Sequence, residues 1–419
     1  MTKMKTGKIN IFPIQNSSAC VFKWGWNTFR LHSGKSSSCH RVDPVPISIE
    51  NFENFHNTPE VMDDRRKMLN GEWPGRGCEY CKNIEDQGGI SDRLYHNNIP
   101  GLTPVDFDGG VVVTPSISEV YLHNTCDLAC VYCSPVFSEK VNQELKKFGP
   151  YPIGIQPVVE HRDRDKFFDA YITWLKSNGN KLTRLSILGG EPLLQKEFWQ
   201  ILDLLPEINN RNLELAINTN LNCSSTTMKR LIDTARDLTV GRAIKQIHVS
   251  ASLDCWGEQA EFVRSGLNIE HWQKNFESLA SNKWINLSVH QVITSLTIKT
   301  ASELQQRIAE YKKDYPKILQ EYYLVDSGYE KVYHPEIFGK DFFKQELEHL
   351  LNTFPIVTEW DNNSRQRLEG IVKLISNSTA DISRLQLLKQ TLTQLDYRRG
   401  TNWKLLWPEI DQYFNQHGI

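Results

Sequence analysis

Three cysteines, Cys126, Cys130 and Cys133, lie at C-x3-C-x2-C spacing just past the apolar run Val120-Tyr121-Leu122. Thiolates are soft ligands, and four of them normally complete a zinc or iron–sulfur site. This motif supplies three. A [4Fe–4S] cube held by three cysteines keeps one iron without a protein ligand and open to a small molecule; a partial zinc site and buried thiols are the bland readings. Four more cysteines precede them: Cys20 and Cys39, spaced C-x13-G-x4-C through Gly34, and the knuckle Cys78-Glu79-Tyr80-Cys81. Those four could build either a structural Zn(Cys)4 site or an iron–sulfur cluster. Cys223 and Cys255 remain, each just past a β-rich run, and each reads most simply as a small buried hydrophobe.

Further motifs follow at regular intervals. One β-rich run ends in Gly189-Gly190-Glu191-Pro192, the next in Asn218-Thr219-Asn220, and a third in Ser250-Ala251-Ser252-Leu253-Asp254, with Arg264 downstream. In a parallel α/β sheet, ligands bind beyond the carboxyl ends of the strands. Paired glycines let backbone approach a ligand closely, and a guanidinium fork suits a carboxylate. Taken singly, the glycines could be a tight turn and Arg264 a surface ion pair.

The segment Cys126-Asp127-Leu128-Ala129-Cys130-Val131-Tyr132-Cys133, with an aromatic before its last cysteine, resembles the C-x3-C-x-aromatic-C signature of the radical S-adenosylmethionine (SAM) enzymes. The resemblance implies that Cys126, Cys130 and Cys133 hold a [4Fe–4S] cluster whose open iron chelates SAM. It implies that the Gly189-Gly190-Glu191 segment contacts the SAM amino group, that Ser252 lies near the ribose or carboxylate, and that Arg264 pairs with the carboxylate. Tyr132, Asn220 and Asp254 complete the expected cofactor contacts. Cys255, or less favourably Cys223, becomes a candidate hydrogen-atom donor. The N-terminal cysteines Cys20, Cys39, Cys78 and Cys81 are similar to the twitch and SPASM modules, which bind an auxiliary [4Fe–4S] cluster; zinc is the alternative. Such modules usually follow the barrel, whereas no cysteine follows Cys255 in this chain.

The implied reaction is reductive cleavage of SAM to methionine and a 5′-deoxyadenosyl radical, which takes hydrogen from an inert carbon. A flavodoxin or ferredoxin would supply the electron. The leading substrate is a peptide or protein, modified on a side chain or the backbone. The second reading is radical dehydrogenation, epimerisation or rearrangement of a small metabolite such as a sugar, aminocyclitol or nucleotide. A third is an iron–sulfur or SAM-binding protein without turnover.

Positioning these residues requires an α/β frame. Candidate strands are 119–123, 184–188, 213–218, 246–252, 286–292 and 321–325, with helical stretches such as 164–177 between them. Nearly continuous apolar strands alternating with helices predict a parallel sheet covered by helices, here a partial (β/α)6 TIM-like barrel over 116–330. A cysteine-rich, twitch-like module occupies 1–115, with a helix over 59–70 capped by Thr58 and a linker over 97–110. A helical extension occupies 331–419, with helices at 340–351, 364–376, 382–395 and 405–414; Leu347, Leu350, Leu351 and Phe354 form its packing stripe. A chain of 419 residues with 39% hydrophobic and 23% charged residues reads as globular. Its net charge of −2 gives no case for nucleic acid or a membrane surface. The absence of a long apolar run and the odd number of cysteines, nine, predict a cytoplasmic protein with metal-binding thiols.

Overall fold

Residues of alternating character build the central sheet. The computed structural model describes residues 18–419 apart from 76, 87, 89–90, 98–101, 104–108, 155, 157, 159–162 and 326–327. Among these, the main strands are β1 (Trp26–Arg30), β2 (Lys35–Ser37), β3 (Val45–Pro46) and β4 (Ile117–Tyr121). After the two-residue β5 (Ala129–Cys130) come β6 (Arg184–Leu188), β7 (Glu214–Thr219) and β8 (Gln246–Ser252). A second two-residue strand, β9 (Arg264–Ser265), precedes β10 (Ile285–Ile293) and β11 (Leu319–Leu324). One sheet has the order β11-β10-β8-β7-β6-β4-β1-β2-β3, and β5 pairs with β9. From β4 to β11 the main strands are parallel and follow chain order, because helical crossovers separate each pair.

The expectation of nearly all-apolar strands does not hold. Leu185, Ile187, Leu215, Ile217, Ile247, Val249, Leu287 and Val289 are buried with Phe198, Leu231, Trp272 and Phe276 of the covering helices. The residues between them on the strands, including Ser186, Glu214, His248 and Ser250, line a cavity of about 920 Å³ on the other face. The sheet therefore carries one dry face and one polar face.

The first 115 residues continue this sheet: β1 pairs parallel with β4, and β2 and β3 add antiparallel strands beyond it. The helix Pro59–Leu69 starts where Thr58 accepts from the Val61 amide. Most of the linker predicted at 97–110 lies outside the described residues.

The C-terminal region is helical: Lys344–Asn352, Trp360–Ile375, Ile382–Arg399, Trp403–Leu406 and Pro408–Gln416. The helix predicted over 405–414 is divided at Trp407, where Pro408 opens the final helix. Leu347, Leu350 and Phe354 of the predicted stripe are buried in a second core with Ile293 and Tyr322 of the sheet; Leu351 packs against it half-buried. Among the described residues no helix is long and apolar enough to cross a membrane.

Candidate active site

β4 ends at Tyr121, and the chain enters the cysteine loop. Within it β5 pairs antiparallel with β9, which sets Cys130 opposite Arg264 in register. Two residues are too few for a periodic signal, so this ribbon was invisible to the sequence. It brings together residues 134 apart in the chain.

Asp254 is the hub beneath that ribbon. It accepts from Tyr132 Oη at 2.7 Å, from Arg264 Nε at 2.9 Å and Nη2 at 2.8 Å, and from the Val292 amide at 3.0 Å. Arg264 therefore spends its fork on Asp254, while its Nη1 lies 4.0 Å from Cys130 Sγ. The guanidinium expected to pair with a ligand carboxylate is thus paired with Asp254 here, and Arg264 also lines the cavity described below. Asp254, 1% exposed, likewise has no bare oxygen to offer a ligand.

Gly189 and Gly190 take φ values of +94° and +49°, a region L side chains avoid. A Cβ on Gly190 would meet Thr125 O at 2.2 Å, so the turn lies directly on the cysteine loop. The Glu191 amide donates to Thr125 O at 2.8 Å, fastening the two. The Glu191 side chain points inward, accepting from Thr219 Oγ1 (2.8 Å) and from the amides of Asn220 (2.6 Å) and Leu193 (3.1 Å). Burial pushes its carboxyl up to about 7. In this structure the carboxylate ties two strand ends together.

Asn220 donates to Asp127 Oδ1 at 2.8 Å and sits 3.9 Å from Cys126 Sγ. Asn222 reaches the second Asp127 oxygen at 2.7 Å. Gln195 accepts from the His123 amide at 3.0 Å and donates to Gly189 O at 2.9 Å. Sequence reasoning missed Asp127, Gln195 and Asn222; the position of Asp127 inside the cysteine motif was the available signal.

These ties shape a cavity of about 480 Å³, within the usual range of ligand pockets. Cys126, Cys130, Tyr132, Cys133, Gly190, Asn220, Ser252 and Arg264 line it. Burial pushes the Cys126 and Cys130 thiols up, and Arg264 opposes that at Cys130. Binding metal there must expel protons. The other two cysteines are elsewhere: Cys223 is 2% and Cys255 0% exposed, both inside the main core. Neither lines the cavity that holds Cys126, Cys130 and Cys133, so in this structure the two candidate hydrogen-atom donors lie within the core.

Cys20, Cys39, Cys78 and Cys81 line a third cavity, of about 20 Å³. Burial raises the Cys39 thiol to about 11 and pushes Cys20 and Cys78 up as well. Zinc–sulfur bonds of ~2.3 Å set thiolates about 3.8 Å apart around one ion. Among the described residues the trio of His, Cys, Asp or Glu whose ligand atoms all fall within 4.8 Å of one another is His123, Asp165 and Glu197.

Neither the protein-family models nor the curated proteins include a match to this chain. Among solved structures it is similar to SuiB of Streptococcus suis bound to S-adenosylmethionine, at 15% identity and TM-score 0.39, covering 77% of this chain and 67% of that one. It is similar to SuiB bound to precursor peptide SuiA at 13% identity and TM-score 0.34, covering 89% and 69%. TYW1 with a lysine–pyruvate adduct bound follows at 12% identity and TM-score 0.31, covering 60% and 76%. At such TM-scores these likenesses decide neither ligand nor reaction.

Proposed function

We propose that this chain is a radical SAM enzyme, with Cys126, Cys130 and Cys133 as ligands of a [4Fe–4S] cluster and SAM held against Gly190, Asn220 and Ser252. One observation carries the reading: three cysteines of a single loop and residues from the ends of β6, β7 and β8 line the same cavity. When bound, the cluster and SAM supply a 5′-deoxyadenosyl radical after one-electron reduction by a donor such as flavodoxin or ferredoxin. The protein's own residues hold and orient. Asp254 fixes a guanidinium beside Cys130, favouring its thiolate, and the Gly189–Gly190 turn presents bare backbone to the cofactor. With this reading go the partial (β/α)6 barrel, a twitch-like module over 1–115 with an auxiliary cluster on Cys20, Cys39, Cys78 and Cys81, a helical region over 331–419, and a cytoplasmic setting.

The substrate proposed is a peptide or protein side chain or backbone. A polar small metabolite is the second reading, supported by the polar sheet face: Glu214, His248, His290 and Glu321 line the 920 Å³ cavity. That cavity shares Asn218, His290 and Tyr323 with the cysteine-lined one. Anaerobic reconstitution with iron, sulfide, SAM and dithionite tests the common chemistry. The wild type should release 5′-deoxyadenosine and Cys130→Ser should release none; equal release from both refutes the assignment. A mass change on a co-expressed peptide, as against consumption of a polar metabolite, separates the two substrates.

A further inference from the structure

Three residues before Cys126 lies His123, 3% exposed. Neither of its ring nitrogens has a hydrogen-bond partner among the described residues. Buried polar atoms are nearly always satisfied by a well-formed hydrogen bond, so an imidazole without one calls for a stronger partner. Its Nε2 faces Glu197 Oε1 at 3.4 Å, without hydrogen-bonding geometry. That separation is long for a hydrogen bond, but it is what two ligands on one ion require. Metal bonds of ~2.0–2.2 Å arranged tetrahedrally place their donors about 3.4 Å apart. Asp165 brings a third donor, and all three ligand atoms lie within 4.8 Å of one another.

Both carboxylates are the second residue of a helix, Asp165 in Arg164–Asn178 and Glu197 in Lys196–Ile208. Helix N-termini favour ionised carboxylates, so two anions and an imidazole converge on one point. We propose that His123, Asp165 and Glu197 bind a divalent first-row metal ion, of the zinc or manganese class, separate from both cysteine sites. One nitrogen and two carboxylate oxygens suit that class. Glu197 is 5% exposed, whereas the Asp165 side chain is 71% exposed, so water completes the coordination from that side. Two cations flank the site: Lys196 Nζ at 3.8 Å from Glu197 Oε1 and Arg164 Nε at 3.7 Å from Asp165 Oδ1. Lys196 is 76% exposed and free to swing away. The ion would join two helix starts to the backbone that enters the cysteine loop, since Gln195 already grips the His123 amide.

Manganese(II) is the discriminating probe, because thiolates bind it poorly and its paramagnetic signal is lost on binding. Titrated into the anaerobically purified, cluster-loaded chain, it should occupy one saturable site and raise the thermal midpoint. Asp165→Asn, a surface change that spares the fold, should weaken binding roughly ten-fold or more, in the range that disturbing a metal's surroundings produces. His123→Ala should abolish binding, and Lys196→Ala should tighten it by removing a competing charge. No saturable site in the wild type, or equal affinities in wild type and Asp165→Asn, overturns the proposal. The readout is independent of SAM cleavage, so it stands or falls apart from the proposed reaction.

Discussion

Arg264 and Asp254 form a buried, two-point ion pair directly beneath Cys130, with side chains 8% and 1% exposed. Removing one member strands the other charge, a loss of about 3–5 kcal/mol. Arg264→Ala should therefore lower unfolding free energy by about that amount in denaturant titrations, whether or not SAM is present. Arg264→Lys keeps the charge and loses the fork, so it should fall between. If Arg264→Ala unfolds like the wild type but binds SAM poorly, the guanidinium belongs to the ligand after all. The two residues were legible in the sequence only as ligand contacts implied by a resemblance; nothing in the spacing of 254 and 264 says that the two side chains meet each other. Glu191 gives a pH signature of definite sign. Its carboxyl titrates near 4.5 ordinarily and near 7 in the fold, so the folded state holds the proton more tightly than the unfolded one. Stability from this group is fullest below about 4.5, declines as pH rises to about 7, and is level beyond. The stability difference between wild type and Glu191→Gln should shift in favour of the variant across that window. A difference that does not change with pH would mean the three donors to the carboxylate offset its burial.

At the scale of elements, the decisive contact is a turn pressed on a loop. Gly190 has positive φ and no room for a Cβ against Thr125 O. Gly190→Ala should therefore push the β6 turn off the cysteine loop, lowering both iron retention and SAM affinity; full iron occupancy with normal SAM binding would show that the loop can move aside at no cost. Strands and long helices were readable in advance because they carry periodic patterns: β6 and β8 have the predicted ends, and other predicted strands shift by one or two residues. The β5–β9 ribbon, too short to have a period, and the pairing of β1 with β4, a contact across just over ninety residues of chain, carry no local signal. The N-terminal cysteines are legible as a set, and their grouping around one cavity makes a specific expectation. Cys78→Ala should remove about half of the bound iron while SAM cleavage at the other cluster persists. Unchanged iron content, or one zinc per chain in place of the missing iron, rejects the auxiliary cluster.

Across the whole molecule, the cysteine loop is a seam between two cores. Tyr132 and Cys133 pack half-buried against both the sheet–helix core and the C-terminal helical core. The second core reaches the loop through Val131, Val141 and Leu145. Arg399 pairs at 2.9 Å with Glu144 of the helix that follows the loop. The C-terminal helices thus brace the site from behind, a role that helical periodicity could not reveal because it shows which face packs but not against what. Trp407 tests the brace far from the cysteines in sequence. It is 0% exposed, donates to Leu296 O at 3.1 Å and meets Phe262 edge-on at 5.0 Å. Trp407→Ala should destabilise by about 3–5 kcal/mol, the usual range for emptying a buried aromatic site. If the loop is a shared seam, cluster absorbance and helical circular dichroism should be lost together along the denaturant axis, in the wild type and in the variant alike. Loss of helical signal while cluster absorbance persists would show instead that residues 331–419 fold as a separate unit and leave the cysteine loop supported by the sheet.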